Sequence, residues 1–303
     1  MLEGLPTLIY GPGGALKSFM SCYFAVLIAS GETENGLRPV KGKVLILDYE
    51  NDAEDWALRM RALEAGTGLT VGDAVIHRFC ARALPDDAEA IQQIISDYRI
   101  DSVIVDPLGP ACGGDTKDDE TILACFAAFR TLKTVEGQAL SILCLDHVNK
   151  EGLLYGNIYK VNRSRSVWRL RQSQEAGSDT VYLSLKHEKI NRAKLMKPVG
   201  FRVEFANEGD ELSQVVFHRE SVSGLPDLAD DMPLKERIMA VLGNKVIAPD
   251  GTLLVQEIAE ELNAESATVR MALNRYGGQL FTKIETGQRT GRWSLASKRE
   301  AYQ

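Results

Sequence analysis

The sequence predicts an α/β protein with a mostly parallel sheet extended by antiparallel strands, followed by a small second domain. Three observations predict it. A short apolar run, Thr7-Leu8-Ile9-Tyr10, enters a glycine-rich turn, and Lys17-Ser18 then opens the apolar segment Phe19 to Ala29. Further continuous apolar runs, Lys43 to Asp48, Asp101 to Asp106 and Ala139 to Leu145, alternate with helix-period segments, the pattern of strands buried on both faces. From about Trp168 the apolar residues change to a period of two, as in Val181/Leu183/Leu185, Phe201/Val203/Phe205 and Val215/Phe217. That period reads as short antiparallel strands extending the sheet.

Each element follows from local chemistry. Phe19 to Ala29 is too short to span a bilayer and contains Ser21 and Cys22, so it is a core helix. Gly31 to Lys43 is a polar surface loop. Asp52 caps a helix carrying Trp56, Leu58, Met60 and Leu63 up to Gly66. Ala74 to Cys80 is a strand, and Asp86 to Tyr98 is a helix through Ile91, Ile94 and Ile95. A loop with Gly109, Gly113 and Gly114 follows, then a helix over Asp118 to Val135 presenting Ile122, Leu123, Phe126 and Phe129. Ser221 to Pro233, rich in Gly, Pro and Asp, is a linker. Beyond it come helices over Leu234–Leu242, Val255–Leu262 and Glu265–Tyr276, then strands over Leu280–Thr286 and Arg292–Leu295. Three helices and a β-wing are the order of a winged helix-turn-helix. The expected organisation is a domain over residues 1–220, a linker over 221–233 and a winged helix over 234–303.

Composition narrows the class. Apolar residues make up 45% and charged residues 25% of the 303, as in a soluble globular chain. The glycine-rich motif begins at Gly11, which leaves no room for a signal peptide. Five scattered cysteines without C-x-x-C spacing indicate neither a disulfide framework nor a zinc site. The expectation is a cytoplasmic protein without a membrane span. A net charge of −7 excludes a uniformly basic nucleic-acid coat while allowing a local basic surface.

The chemistry starts at Gly11-Pro12-Gly13-Gly14-Ala15-Leu16-Lys17-Ser18. Strand, flexible loop and helix N-terminus is the order a phosphate-binding loop requires, because glycines let successive N–H groups point at phosphate oxygens and the helix dipole adds to them. Lys17 reaches the β- and γ-phosphates, and the Ser18 hydroxyl holds Mg²⁺. The G-x-x-x-x-G-K-[ST] pattern wants glycine at position 16, where this chain has Leu16; a leucine with helical φ/ψ fits there. The bland alternative is a glycine-rich hairpin before an ordinary helix. In a parallel sheet the loops after strand C-termini line the ligand crevice, so Asp106, Glu50 and His147 converge near Lys17. Asp106 is placed to orient Mg²⁺, Glu50 to polarise the attacking water, and His147 with Asp146 to sense the γ-phosphate. Against this, Asp106-Pro107 is also a common turn starter, and Glu50 also suits a cap for the following helix.

Together these residues resemble the RecA-like P-loop ATPases, most closely the RepA-type hexameric replicative helicases of plasmids and phages. The resemblance covers about residues 5–220 and rests on the loop motif, Leu47-Asp48-Tyr49-Glu50, Ile104-Val105-Asp106-Pro107-Leu108, Asp146-His147-Val148-Asn149-Lys150 and Arg165-Ser166-Val167-Trp168. It implies ATP and Mg²⁺ as cofactors, Glu50 as catalytic base, Asp106 as the second Mg²⁺ contact and a homo-oligomer, the hexamer included. It also implies a basic residue completing the neighbouring subunit's site, for which Lys189 and Arg192 are the candidates.

Two segments suit DNA. Tyr155 to Arg171 carries Lys160, Arg163, Arg165, Arg169 and Arg171 among Tyr155, Tyr159 and Trp168; cations that track phosphates and aromatics that stack bases suit a single strand. The alternative is a surface basic helix with Val167 and Trp168 packed in the core. The winged helix offers Ser266, Thr268 and Arg270 on its recognition helix and Lys283, Arg289 and Arg292 around the wing for duplex DNA, although many such modules bind proteins. The expected activity is that of an ATP-dependent DNA motor in replication or repair. Its rival is a nucleotide-switched DNA-binding regulator that does not unwind.

Overall fold

The computed structural model describes residues 6–222, 225–229, 232–284 and 291–296. The chain divides into two compact units, Met1–Glu220 and Ser221–Gln303. In the first, β1 (Thr7–Gly11), α1 (Lys17–Ser30), β2 (Val44–Asp48), α2 (Ala53–Thr67), β3 (Val75–Phe79), α3 (Leu84–Tyr98), β4 (Ser102–Asp106), α4 (Leu108–Cys112), α5 (Asp119–Thr131) and β5 (Ser141–His147) alternate strand and helix. The short α6 (Tyr159–Arg163) then leads to β6 (Ser166–Ser173), β7 (Thr180–Ile190), β8 (Val199–Glu208) and β9 (Glu211–Arg219). All nine strands form one sheet in the order β3-β2-β4-β5-β1-β6-β7-β8-β9. Strands β3 to β6 in that order run parallel, and β7, β8 and β9 are antiparallel additions. This is the mostly parallel, antiparallel-extended architecture that the sequence predicts.

Apolar side chains alternate across the parallel strands into two cores. Ile9, Ile46, Ile104 and Leu143 face α1 and α2. Leu8, Leu45, Val103, Val105 and Ile142 face α3 and α5. Helix α1 is apolar on nearly every side because it is covered on nearly every side: the antiparallel strands curl back over it. Tyr23 stacks on Phe217 of β9 at 4.4 Å, and Phe19 meets Phe205 of β8 edge-on at 5.5 Å. Helix α2 closes the curl against β9. A Cβ at Gly66 would lie 1.8 Å from the Val215 carbonyl oxygen, so only glycine permits that approach, and Gln214 donates to the Ala65 carbonyl at 3.0 Å.

Some boundaries differ from the sequence reading. Helix α5 stops at Thr131 rather than Val135, because Lys133 and Ala139 form a β-bridge across a tight turn. The glycine-containing loop after β4 holds a helical turn, α4, whose Leu108 and Ala111 are buried. Strand β6 begins at Ser166, before the change of period, and still pairs parallel with β1.

The second unit holds α7 (Pro226–Ala229), α8 (Leu234–Gly243), β10 (Thr252–Leu253), α9 (Val255–Glu261), α10 (Ser266–Arg275), β11 (Phe281–Ile284) and β12 (Arg292–Leu295). Two short elements add to the sequence reading: α7, within the stretch read as a linker, and the two-residue strand β10, which pairs with β12, itself paired with β11. Ile238, Leu242, Ile258, Val269, Leu273, Phe281 and Trp293 form its core. Among the described residues no helix is long and apolar enough to cross a membrane, and all five cysteines are buried free thiols.

Replacing Gly66 with alanine should destabilise the first unit by about 3 kcal/mol, reversing alanine's usual advantage in a helix. Urea unfolding of the two proteins measures the difference.

Candidate active site

The loop between β1 and α1 is built by packing as much as by glycine freedom. Gly11 lies so close to β6 that a Cβ would sit 2.4 Å from the Leu170 carbonyl oxygen. Gly13 has nothing within 4 Å of its absent Cβ, so the inner face of the turn stays open. Leu16 has φ 58° and ψ 26°, the left-handed region, and not the right-handed helical geometry expected of it. The turn must reverse direction there before α1 begins, which is why the consensus has glycine at that place. A non-glycine residue in this region costs about 1–2 kcal/mol; packing of the Leu16 side chain against the core around α1 offsets it. No side chain caps α1, so its first N–H groups are left for a ligand.

Lys17 is almost fully buried, and its ammonium donates to the carbonyls of Gly11 at 3.1 Å and Pro12 at 2.8 Å. Burial lowers its pKa, with Asp106, Glu50 and Asp146 pulling the other way. Ser18 lies beside Asp106, a residue 6% exposed. Burial pushes Asp106 up to about 6, the Ser18 hydroxyl and Arg59 oppose this, and Asp48 and Glu50 add to it. A buried carboxylate paired with one hydroxyl is a set of hard oxygen donors that a divalent cation suits. Ser18 and Asp106 therefore fit Mg²⁺, which when bound would neutralise phosphate charge.

Glu50 follows β2 on a turn fixed by Asp48. The Asp48 Oδ1 accepts the backbone N–H groups of Glu50 at 3.0 Å and Asn51 at 2.9 Å, and Oδ2 lies 3.2 Å from His77 Nε2. Burial would raise the Asp48 pKa, but these hydrogen bonds outweigh it and hold it low. The sequence reading placed Asp48 at a strand end but gave it no role; a carboxylate two residues before Glu50 was the signal. Glu50 does not cap α2, since Asp52 does so by accepting from Glu54 and Asp55. The Glu50 side chain is exposed and approaches His147 Nε2 at 3.6 Å. His147 Nδ1 stands 3.4 Å from the Lys17 ammonium. With Nδ1 facing an ammonium, Nε2 is assigned the proton and points it at Glu50.

Lys17, Ser18, Glu50, Asp106 and His147 thus meet at one edge of the sheet, and other candidates lie elsewhere. The Lys189 ammonium donates to the carbonyls of Val161, Asn162 and Ser164, at 2.6, 3.2 and 2.7 Å. In this chain it caps α6, so serving a neighbour would require it to leave these three carbonyls. Arg192 is exposed beyond β7. The basic segment before and along β6 is also broken up. Lys160 is fully buried, 2.7 Å from Asp146, and Arg169 lies 3.4 Å from Glu188. Trp168 stacks on His187 at 4.0 Å. In the second unit Arg292, at the start of β12, reaches Thr252 at 2.7 Å and Glu257 at 3.5 Å, so its side chain braces β10 and α9. Thr268 and Arg270 are exposed on α10 and Lys283 is exposed on β11; Arg289 lies outside the described residues.

A loop that presents backbone N–H groups, with a lysine, a hydroxyl and two strand-end carboxylates around it, defines a P-loop ATPase. Residues 1–152, half of the chain, match the model of the AAA domain family, and the protein belongs to that family. No curated protein sequence matches the chain significantly. Among solved structures, a KaiC-like protein from the hyperthermophilic archaeon Pyrococcus horikoshii OT3 aligns with a TM-score of 0.47 at 14% identity, over 71% of this chain and 90% of that one.

The raised pKa of Asp106 has a definite sign. Its folded value of about 6 exceeds the ordinary value near 4, so the ionised carboxylate weakens the metal-free protein above pH 6 and ceases to do so below about pH 4. Asp106→Asn should therefore stabilise the protein in EDTA at pH 7.5 by about 2–3 kcal/mol. The gain should shrink towards pH 4.5, and Mg²⁺-dependent ATP turnover should be lost. Thermal melts across pH and a phosphate-release assay measure both.

Proposed function

We propose that this protein is an ATP- and Mg²⁺-dependent motor of the RecA-like, RepA-type kind, acting on DNA in replication or repair. The observation that carries it is the gathering of Lys17, Ser18, Asp106, Glu50 and His147 at one sheet edge beneath an uncapped helix N-terminus. In this reading the loop and α1 bind the polyphosphate, and Lys17 leaves its own loop carbonyls to reach the β- and γ-phosphates. Glu50 takes the proton of the water that attacks the γ-phosphate in line. His147 supports Glu50 on one side and reports the γ-phosphate to the segment after β5 on the other. Arg192 serves as the cation offered to a neighbouring subunit in a homo-oligomer such as a hexamer, a contribution of about 10³–10⁵ in rate where such cations act.

The order α8, β10, α9, α10, β11, β12 supports a winged helix over 234–303, joined by the linker 221–233 to the ATPase domain over 1–220. Thr268 and Arg270 are its candidate contacts to duplex DNA. The rival reading, a nucleotide-switched DNA-binding regulator, is favoured by one observation: Lys160, Arg169 and Trp168 have partners within the fold. The remaining candidates for a single strand are Arg163, which lies over the Tyr159 ring at 6.0 Å, with Tyr155, Arg165 and Arg171.

Lys17→Ala should cut ATP turnover by about 10²-fold or more; unchanged phosphate release would refute the site. ATPase rates with and without single-stranded DNA, beside strand displacement on a forked duplex, separate the two readings. A motor is stimulated and unwinds; a regulator hydrolyses slowly, ignores the single strand and changes only its affinity for duplex.

A further inference from the structure

Lys160 is the least accessible charge among the described residues of the first unit, and nothing in the ATPase chemistry above uses it. Its exposure is 0%, and that of its partner Asp146 is 2%. The two lie directly behind His147. The Lys160 ammonium donates to Asp146 Oδ2 at 2.7 Å and to the Tyr155 carbonyl at 3.1 Å. Asp146 Oδ1 accepts the His147 N–H at 2.9 Å, and the Tyr155 N–H donates to the His147 carbonyl at 2.9 Å. These four hydrogen bonds close a ring: His147 backbone, Asp146 carboxylate, Lys160 ammonium, Tyr155 backbone. Both polar groups of the His147 main chain are held within it.

The ring sits at the base of a small hairpin. Val148 and Leu154 form a β-bridge, and Asn149 closes the tip by accepting from Glu151 and Leu153, each at 3.0 Å. The hairpin and the turn after it expose large apolar side chains: Leu153 at 58%, Tyr155 at 44% and Ile158 at 64%. The ring is also tightly walled. A Cβ on Gly156 would lie 2.7 Å from the Thr116 carbonyl oxygen and 3.3 Å from the Lys160 ammonium. Movement of the hairpin therefore has little slack to absorb before it reaches Asp146 and His147.

We propose that Lys160 is a positioning residue that couples the exposed 148–158 segment to the nucleotide site through Asp146 and His147. A buried ion pair is a poor source of stability, since desolvating both charges offsets their attraction. Its directionality is what an apolar pair of equal volume lacks. The ammonium can hold the carboxylate and the Tyr155 carbonyl together only while hairpin and strand end keep their present register. The inference rests on the ATPase reading and adds the route by which whatever touches the hairpin alters turnover.

The test is hydrogen–deuterium exchange on the full chain, with a non-hydrolysable ATP analogue and Mg²⁺, together with steady-state kinetics. In the wild type the analogue should slow exchange in residues 11–18 and also in 148–158. The Asp146→Asn, Lys160→Met double variant carries no unpaired buried charge, and the amide that replaces the Asp146 carboxylate still accepts the His147 N–H. It should keep the response at 11–18 and lose the one at 148–158, with kcat lower by about tenfold and KM within about twofold. A double variant whose hairpin still responds, or whose kcat is unchanged, would overturn the proposal. So would a wild type protected at 11–18 with no response at 148–158, an outcome that needs no variant. If residues 11–18 do not respond in the wild type either, the nucleotide site itself is wrong and the coupling falls with it.

Discussion

The enclosure of α1 is the constraint on which the rest of the molecule depends. This helix carries Lys17 and Ser18 on its first turn, and its position decides where a polyphosphate can bind. A helix that is apolar on all sides cannot rest on a flat sheet with one face in water. The chain solves this by adding β7, β8 and β9 to the parallel sheet and curling them over α1, with Tyr23 stacked on Phe217 and Phe19 against Phe205. Helix α2 completes the enclosure through the bare backbone of Gly66. The loop motif and the late antiparallel strands are thus parts of one packing solution, although they lie far apart along the chain.

Three buried carboxylates end the central parallel strands, and their partners differ. Asp48 has the His77 imidazole and three backbone or amide donors of the Glu50 turn. Asp146 has the Lys160 ammonium. Asp106 has the Ser18 hydroxyl. The first two are structural anchors whose charge is answered inside the fold, and they hold Glu50 and His147 in place. The third keeps an incompletely answered charge at the strand end beside Lys17 and Ser18, and its pKa is raised. Strand ends of one sheet thereby carry both well-partnered and poorly partnered carboxylates, distinguished only by what stands next to each.

Much of this was legible in the sequence. Continuous apolar runs ending in Asp48, Asp106 and Asp146 mark parallel strands and the edge where their loops gather, because both properties follow from the local pattern alone. Glu50, Asp106 and His147 could be placed near Lys17 on that ground. What could not be read depends on contacts distant in sequence. The basic run from Lys160 to Arg171 looks like a surface track, yet Lys160 turns inward because Asp146 near the end of β5 takes its ammonium, and Arg169 is engaged because β7 brings Glu188 beside it. The intrachain partners of Lys189 were out of reach for the same reason: its three carbonyl acceptors belong to the end of α6, well before it in the chain. The consensus glycine at position 16 was a sign of a left-handed turn, but that a leucine would be held in it depends on packing that no local pattern shows.

The wrapped arrangement of α1 also bears on how the polypeptide is made. The segment that carries the family match ends at residue 152, before any of the strands that cover the outer flank of the helix. A ribosome releasing only that much chain would leave Tyr23 and Phe19 facing water until β8 and β9 emerged. The portion that carries the family match therefore completes its packing only with strands that lie beyond it in the chain.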